Sequence, residues 1–296
     1  MIIVGAGLAG LLTANAFPQA RIIEAQGRDK VEHKALLRFR STAVAGLTGI
    51  EFRKVKVHKG IWHGGKFVAP SIRLANLYSR KVIGRLADRS IWNLDPVERY
   101  IAPEDFISML LDNCASRISW ETPLDLEENR NEPIISTMPM SVLSSLLYQS
   151  SNDDTPPKFE HAPIHVARYR IPNADVFQTV YFTDQDVPIY RASITGNMLI
   201  VEAMSPEFKL DDVLCAFGIN RATTIGAVSQ KFGKIVPIDD MWRRNFILRA
   251  SMDHGIHSVG RFATWRNILL DDVVHDLTVV KRLINLGGGY YNRLNA

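Results

Sequence analysis

Cysteine is nearly absent from this chain, with two in 296 residues, Cys114 in "LDNCAS" and Cys215 in "VLCAFG". Neither has a CxxC partner or a clustered histidine, so the sequence offers no disulfide framework and no zinc site. The eight histidines are scattered without ligand spacing, and no metal centre is expected. No apolar run approaches the roughly 20 residues that a bilayer span needs. The first hydrophobic segment has no charged stretch before it and reads as a strand entering a glycine turn, not as a signal peptide. Gly-x-Ser-x-Gly is missing too, so "HGG" at 63–65 has no nucleophile turn to serve as an esterase oxyanion loop. These absences point to a reducing cytoplasm and to a chain that does not cross a membrane.

Glycine, by contrast, is concentrated where it carries information. The chain opens "MIIVGAGLAGLLTANAFPQARIIEAQ", which reads as a strand, a glycine turn, a helix and a second strand ending at Glu24. In a dinucleotide-binding βαβ unit Gly5 makes the tight turn and Gly7 lets backbone N–H groups approach a pyrophosphate. Gly10 lets the helix pack closely on the strand. Ala6, Leu8 and Ala9 complete the turn and the first helical residues, whose N-terminal dipole favours an anion. Glu24, with Ala25 beside it, closes the second strand where a carboxylate can accept bonds from ribose hydroxyls. An acid there disfavours a 2′-phosphate, hence NADP, but does not separate NAD from FAD.

Further along, "IEFRKVKVHKGIWHGGKFVAP" alternates apolar and basic residues as strands do, with "HGG" as the turn. "SIRLANLYSRKVIGRLADRSIW" reads as helix, and so does "PEDFISMLLDNCAS", with Pro103 in its first turn. "RISWETPLDLEENRNEPIISTMPM" reads strand, polar hairpin, strand, ending on Thr137 and Pro139. A helix follows, and then "QSSNDDTPP" is the best linker candidate. From "IHVARYRIP" to "MLIVEAM" alternating segments predict an antiparallel sheet, and "DDVLCAFGI" another helix. "HSVGRFATWRNILLDDVVHDLTVVKRLIN" reads as a short strand, a glycine, a loop and a long helix, with "GGGYY" at 287–291 as a flexible tail.

Net charge is only +4, yet residues 46–100 hold 11 Lys and Arg against 4 Asp and Glu. Such an excess marks either a solvated basic face or an anionic partner, a phosphate-bearing substrate or nucleic acid. Arginine and aromatics interleave in "RYRIP", "MWRRNF" and "RFATWR", a pattern that can grip a strand by charge and stacking. Packing of Trp242 and Trp265 in the core or against a flavin is the competing expectation.

Four stretches together resemble flavoproteins of the glutathione-reductase-type fold that include amine oxidases, protoporphyrinogen oxidases and UDP-galactopyranose mutases. They are "IIVGAGLAGLLTA" with Glu24, "IISTMP" at 134–139, "DVPIYRASI" at 186–194 and "GRFATWRNILLDDVV" at 260–274. The resemblance implies an α/β fold: a Rossmann-like FAD-binding domain with a mixed or antiparallel-sheet substrate domain. It implies FAD as cofactor, with Gly260 and Arg261 under the flavin and Thr137 nearby. Leu269 and Leu270 then offer backbone contacts at the start of a helix that faces the flavin pyrimidine, with Asp271 close by. The group's second Gly-Gly-Arg element is missing, the region reading "GRDKVEHK". Lys34, Arg38 or Arg40 either neutralises the pyrophosphate in its place or caps a helix. The compact form also resembles flavoproteins encoded by bacteriophages, some of them linked to thymidine hypermodification, which would place it in a host cytoplasm.

The FAD-binding part is expected in three pieces, 1–45, 101–150 and 251–296, with the substrate domain at 46–100 and 151–250. The leading expectation is an amine-oxidase-like FAD-dependent oxidoreductase acting on a C–N bond in a small or nucleotide-linked substrate, modified thymidine in DNA included. Arg191 would bind an anionic group, unless it is a strand arginine facing solvent, and Lys231 or Lys234 would sit near flavin N5. The alternatives are a UDP-galactopyranose-mutase-like isomerase of a sugar nucleotide and a flavin-free binding protein on the same fold.

Overall fold

The computed structural model describes every residue except 31–37, 88, 89, 130, 149–155, 173, 175, 295 and 296. Lys34 and most of the linker candidate therefore lie outside the described residues. Strands of the first half are β1 (Ile2–Val4), β2 (Arg21–Ile23), β3 (Arg38–Phe39), β4 (Arg53–His63), β5 (Lys66–Val68), β6 (Val97–Ile101) and β7 (Ile118–Ser119). The second half adds β8 (Ile134–Ser136), β9 (His161–Arg170), β10 (Phe177–Phe182), β11 (Ile189–Thr195), β12 (Met198–Ala203), β13 (Thr223–Ile235) and β14 (Ile256–Ser258). Helices are α1 (Leu8–Ala16), α2 (Ala43–Thr48), α3 (Ile72–Ile83), α4 (Phe106–Cys114) and α5 (Leu126–Asn129). They continue with α6 (Met140–Tyr148), α7 (Asp211–Phe217), α8 (Asp240–His254) and α9 (Leu270–Leu294).

Five short strands form a parallel sheet in the order β14-β8-β1-β2-β7. Their continuous apolar runs suit a sheet buried on both faces. Ile2, Val4, Ile23, Ile134 and Ile256 pack against Met140 and Leu143 of α6 and Phe246 and Ala250 of α8. Ile3, Ile22 and Ile135 point the other way, against Leu11 of α1, Leu110 of α4 and Leu277 of α9. Trp265 is buried in the first of these layers and Trp242 packs at its margin, stacked on Phe246 at 5.3 Å, so both belong to the core.

Two local expectations need correction. Residues 117–137 form no hairpin: β7 and β8 both join the parallel sheet, separated by β1 and β2, with α5 between them in sequence. Two apolar runs around a polar stretch look alike for a hairpin and for a crossover, and here the partner strand lies at the far N-terminus. Pro103 precedes its helix instead of opening it; the Phe106 N–H bonds the Pro103 carbonyl and α4 begins there.

The second sheet runs β13-β9-β12-β11-β10-β4-β6-β3, with β5 paired to β4. The pair β10–β4 is parallel and the other pairs are antiparallel, so the sheet is mixed. The "HGG" turn joins β4 to β5 with Gly64 and Gly65 at φ +59° and +73°, left-handed positions that glycine accepts without strain. One face packs on α7 through Val180, Phe182, Leu199 and Val201, the other on α3 through Ile61, Val166 and Ile200. Lys81 on α3 pins the β10–β11 loop, donating to the carbonyls of Phe182 (3.0 Å), Asp184 (2.7 Å) and Ile189 (2.5 Å).

Arg38 reports the curvature of this sheet. It starts on β3, yet bonds Thr179 on β10 and Thr195 on β11, three and four places along. In a flat sheet those strands would lie about 14–19 Å away, beyond the reach of one side chain. The sheet therefore curls, and Arg38 crosses its concave side.

Candidate functional site

Gly5, Thr137 and Gly260 follow β1, β8 and β14 at the carboxyl edge of the parallel sheet, the edge where open α/β sheets bind ligands. The reasons for glycine are visible. Gly5 has φ +102°, and a Cβ there would stand 2.4 Å from the Thr137 hydroxyl. A Cβ on Gly10 would stand 1.8 Å from the Gly5 carbonyl oxygen, so α1 packs on the turn only without one. Gly7 differs: a Cβ there would meet no atom of the described residues within 4 Å. Its open side lies at the start of α1, which has no side-chain cap and no acid in its first turn. Free amides and the helix dipole thus face open space, the setting for an anion.

Glu24 reaches this turn directly. The Ala6 N–H donates to its Oε2 (2.7 Å) and the Gln26 N–H to its Oε1 (2.9 Å). The carboxylate is therefore fixed beside the glycine turn, with lone pairs left for further donors. Ala25 follows in the bend after β2. Thr137 donates both its N–H and its hydroxyl to the Val4 carbonyl (2.9 and 2.8 Å), locking β8 to the turn.

The second glycine element closes on the first. Gly260 has φ +98°, and a Cβ on it would lie 2.9 Å from the Ala9 side chain in α1. Thr264 then bonds the Gly260 carbonyl through both N–H and hydroxyl, and Arg266 N–H reaches back to Arg261. Trp265 holds a left-handed φ of +46°, its indole N–H donating to Val236 at 2.9 Å. Arg261 is part-buried with no partner for Nε among the described residues, and burial lowers its pKa. At the start of α9 the Leu269 N–H is taken by the Asp272 carboxylate (2.8 Å), while the amides of Leu270 and Asp271 have no partner among the described residues. The Asp271 carboxylate accepts from Arg40 N–H (3.1 Å), Ser41 N–H (2.9 Å) and the Ser41 hydroxyl (2.6 Å).

On the concave side of the curled sheet lies a basin rich in arginine and tyrosine. Arg38 donates to the Thr179 hydroxyl (2.8 Å), the Ile194 carbonyl (2.8 Å) and the Thr195 hydroxyl (2.6 Å), and its Nε has no partner among the described residues. Burial, then the nearby Arg191 charge, pushes its pKa down to about 10. Arg99 donates to the Glu98 carbonyl (2.6 Å); burial lowers its pKa, with the Arg40 charge adding to the effect. Arg191 forms a two-pronged ion pair with Glu202 across β11 and β12. Burial works against the Arg191 charge, but the Glu202 carboxylate outweighs it and raises the pKa. Tyr78 meets Tyr181 edge-on at 5.4 Å and Tyr190 at 6.4 Å; burial, then Glu202, raises the Tyr190 pKa.

The expected residues thus fall into three groups. Gly5, Ala6, Gly7, Leu8, Ala9, Gly10, Glu24, Thr137, Gly260 and Arg261 cluster around the glycine turn. Leu269, Leu270, Asp271 and Arg40 meet at the start of α9. Arg38 and Arg191 belong to the basin, Arg38 reaching across the curled sheet and Arg191 held by Glu202. Lys231 and Lys234 are in β13, and their side chains lie outside the described residues. Arg99, Tyr78, Tyr181, Tyr190 and Glu202 were not anticipated from sequence; four of them sit in strand-like segments ("VERYI", "FQTVYF", "PIYRAS", "MLIVEA") and Tyr78 in the helix "IRLANLYSRKVI".

No protein-family model matches the chain, and no curated protein matches it in sequence. Solved structures do match in fold. A reduced UDP-galactopyranose mutase aligns over 96% of this chain and 95% of that one, with a TM-score of 0.65 and 12% identity. An oxidoreductase from Methanosarcina mazei aligns over 95% of this chain and 99% of its own, with a TM-score of 0.60 and 12% identity. The mixed α/β architecture, a parallel sheet joined to a curled mixed sheet, is thus the fold of these proteins. Among the described residues no helix is long and apolar enough to cross a membrane.

Proposed function

We propose that the chain is an FAD-dependent enzyme acting on an anionic, nucleotide-linked substrate, with oxidation of a C–N bond as its reaction. The observation that carries the reading is the open side of Gly7, bounded by the free start of α1 and by Glu24 fixed against Ala6. That geometry fits a dinucleotide. The amides at the start of α1, from Gly7 onward, suit the pyrophosphate, Glu24 the ribose, and the free amides of Leu270 and Asp271 the pyrimidine edge of a flavin. Bound FAD supplies a two-electron acceptor; the chain supplies orientation and charge. Arg99 and Arg38 give the basin its positive charge, and the part-exposed Tyr181 adds aromatic surface, backed by Tyr78 and Tyr190, buried where α3 packs on the sheet.

A second reading, non-redox isomerisation of a sugar nucleotide, is favoured by the likeness to the mutase structure and by the arginine–tyrosine basin. Anaerobic mixing of FAD-loaded protein with phosphate-bearing primary amines separates the two. Loss of the oxidised flavin band on mixing supports oxidation. An unchanged band, together with conversion of UDP-galactopyranose by the chemically reduced protein, supports isomerisation instead.

A further inference from the structure

β4 runs 11 residues and lacks a neighbour along part of one side. Residues 57–62 pair with β10 on that side, and residues 53–57 pair with β6 on the other. Beside residues 53–56 the β10 side is therefore open, with no strand paired to it among the described residues. The segment before β10 does not fill the gap. The Ile171 and Ala174 amides bond the Asn197 and Gly196 carbonyls (2.9 and 3.4 Å) at the β11–β12 turn, on the far side of β10 from β4. A groove of about 350 Å³ follows the open edge, lined chiefly by Arg53, Lys54, Val55, Lys56, Val176 and Phe177. We propose that this edge takes an extended acidic peptide of a partner protein as an added strand.

In an antiparallel ladder alternate residues turn N–H and carbonyl to the same edge, so two of residues 53–56 present both groups to the open side. An extended peptide pairs with such groups, and the flanking side chains choose which peptide. Here they are cationic and split between two faces. Lys54 and Lys56 point to one face; Arg53 and Val55 share the other with Phe177, the Arg53 guanidinium lying 4.9 Å from that ring's centroid. Lys54 pairs with Glu98 at 2.7 Å, whereas Arg53 and Lys56 have no carboxylate partner among the described residues. An added strand also alternates, setting carboxylates beside the lysines and apolar side chains against Phe177 and the exposed Val176. Nucleic acid suits the edge poorly, because its phosphates follow one line while these cations lie on two faces. A second copy suits it no better: two such edges would set Arg53, Lys54 and Lys56 against their equals, and lysine on an edge keeps copies apart. The proposal stands independently of the flavin.

The test is fluorescence anisotropy on the full chain with a labelled peptide of about eight residues alternating Glu and Val, enough to cover residues 53–56. Saturable binding is expected at low salt, and Arg53→Ala with Lys56→Ala should weaken it roughly tenfold as two exposed ion pairs are lost. The same peptide with every amide N-methylated keeps its charge but loses its donors, and should bind at least roughly tenfold more weakly. Hydrogen exchange should slow by about tenfold at amides within residues 53–56 when the unmethylated peptide is added, with no change in β1. Flavin content, read by absorbance on the same samples, should not differ between wild type and the double variant. No binding up to about 1 mM peptide would overturn the proposal. So would equal binding of the N-methylated peptide, binding that the double variant leaves intact, or tighter binding of an oligothymidylate or of an alternating Lys–Val peptide. Protein that binds the peptide but carries no flavin would sink the flavin reading and leave the edge site standing.

Discussion

A methyl group on Gly10 would stand 1.8 Å from the Gly5 carbonyl oxygen, whereas one on Gly7 would meet no atom of the described residues within 4 Å. The two glycines therefore make opposite predictions. Gly10→Ala forces α1 off the turn and should lower stability by about 1–3 kcal/mol, seen as a fall in Tm, with cofactor retention lost as a consequence. Gly7→Ala, at φ −68°, should leave Tm nearly unchanged and weaken flavin retention alone, because it fills the space a pyrophosphate needs. Equal effects of both on Tm would contradict this account. Lys81 gives a pH-dependent case. Burial pushes its pKa down from 10.5 to about 8, opposed by Asp184 and Asp186. Between those values the unfolded chain holds the proton and the folded chain releases it, so this residue's contribution rises with pH across that window. Denaturant unfolding should show wild type gaining on Lys81→Met between pH 7.5 and 10, by up to about 3 kcal/mol. A gap that shrinks with pH would refute it. The glycines and Glu24 were legible in sequence because their spacing is local. Lys81 was not, since its three carbonyl partners lie 101 to 108 residues away.

The start of α9 joins the glycine turn to the basin. Its Asp271 carboxylate holds two backbone amides and a hydroxyl at residues 40–41, next to Arg38 on β3. Asp271→Ala removes three charge-assisted bonds and should cost about 3 kcal/mol, with Asp271→Asn recovering part of it by accepting one amide. A Tm unchanged by the alanine variant would mean the tie carries no load. Most elements could be read from the chain: β1–α1–β2, the β4–β5 hairpin and the strands from β9 to β12 have neighbours close in sequence and clear periodicity. The pairing of β7 and β8 could not. Each is two or three residues long, and each takes its parallel partner from the first 23 residues, so no local pattern records it.

The concave basin exists only in the whole molecule. Arg38, Arg99 and Arg191 come from β3, β6 and β11; the sheet must curl before they share a surface. Read singly in sequence each is a strand or loop arginine, which is why Arg99, Tyr181 and Glu202 left no usable signal while the glycine elements did. The same curl sets the basin beside the α9 start, and the contact of Gly260 with Ala9 sets that start beside the glycine turn. The central claim, that this convergence holds FAD, is tested most directly by the visible absorption spectrum of the purified protein. The heat-released supernatant should be run against FAD and FMN, with Gly7→Ala in parallel. Flavin bands, released FAD, and much less of both from Gly7→Ala are expected. A wild-type protein that is colourless, and stays so after incubation with FAD, would contradict it.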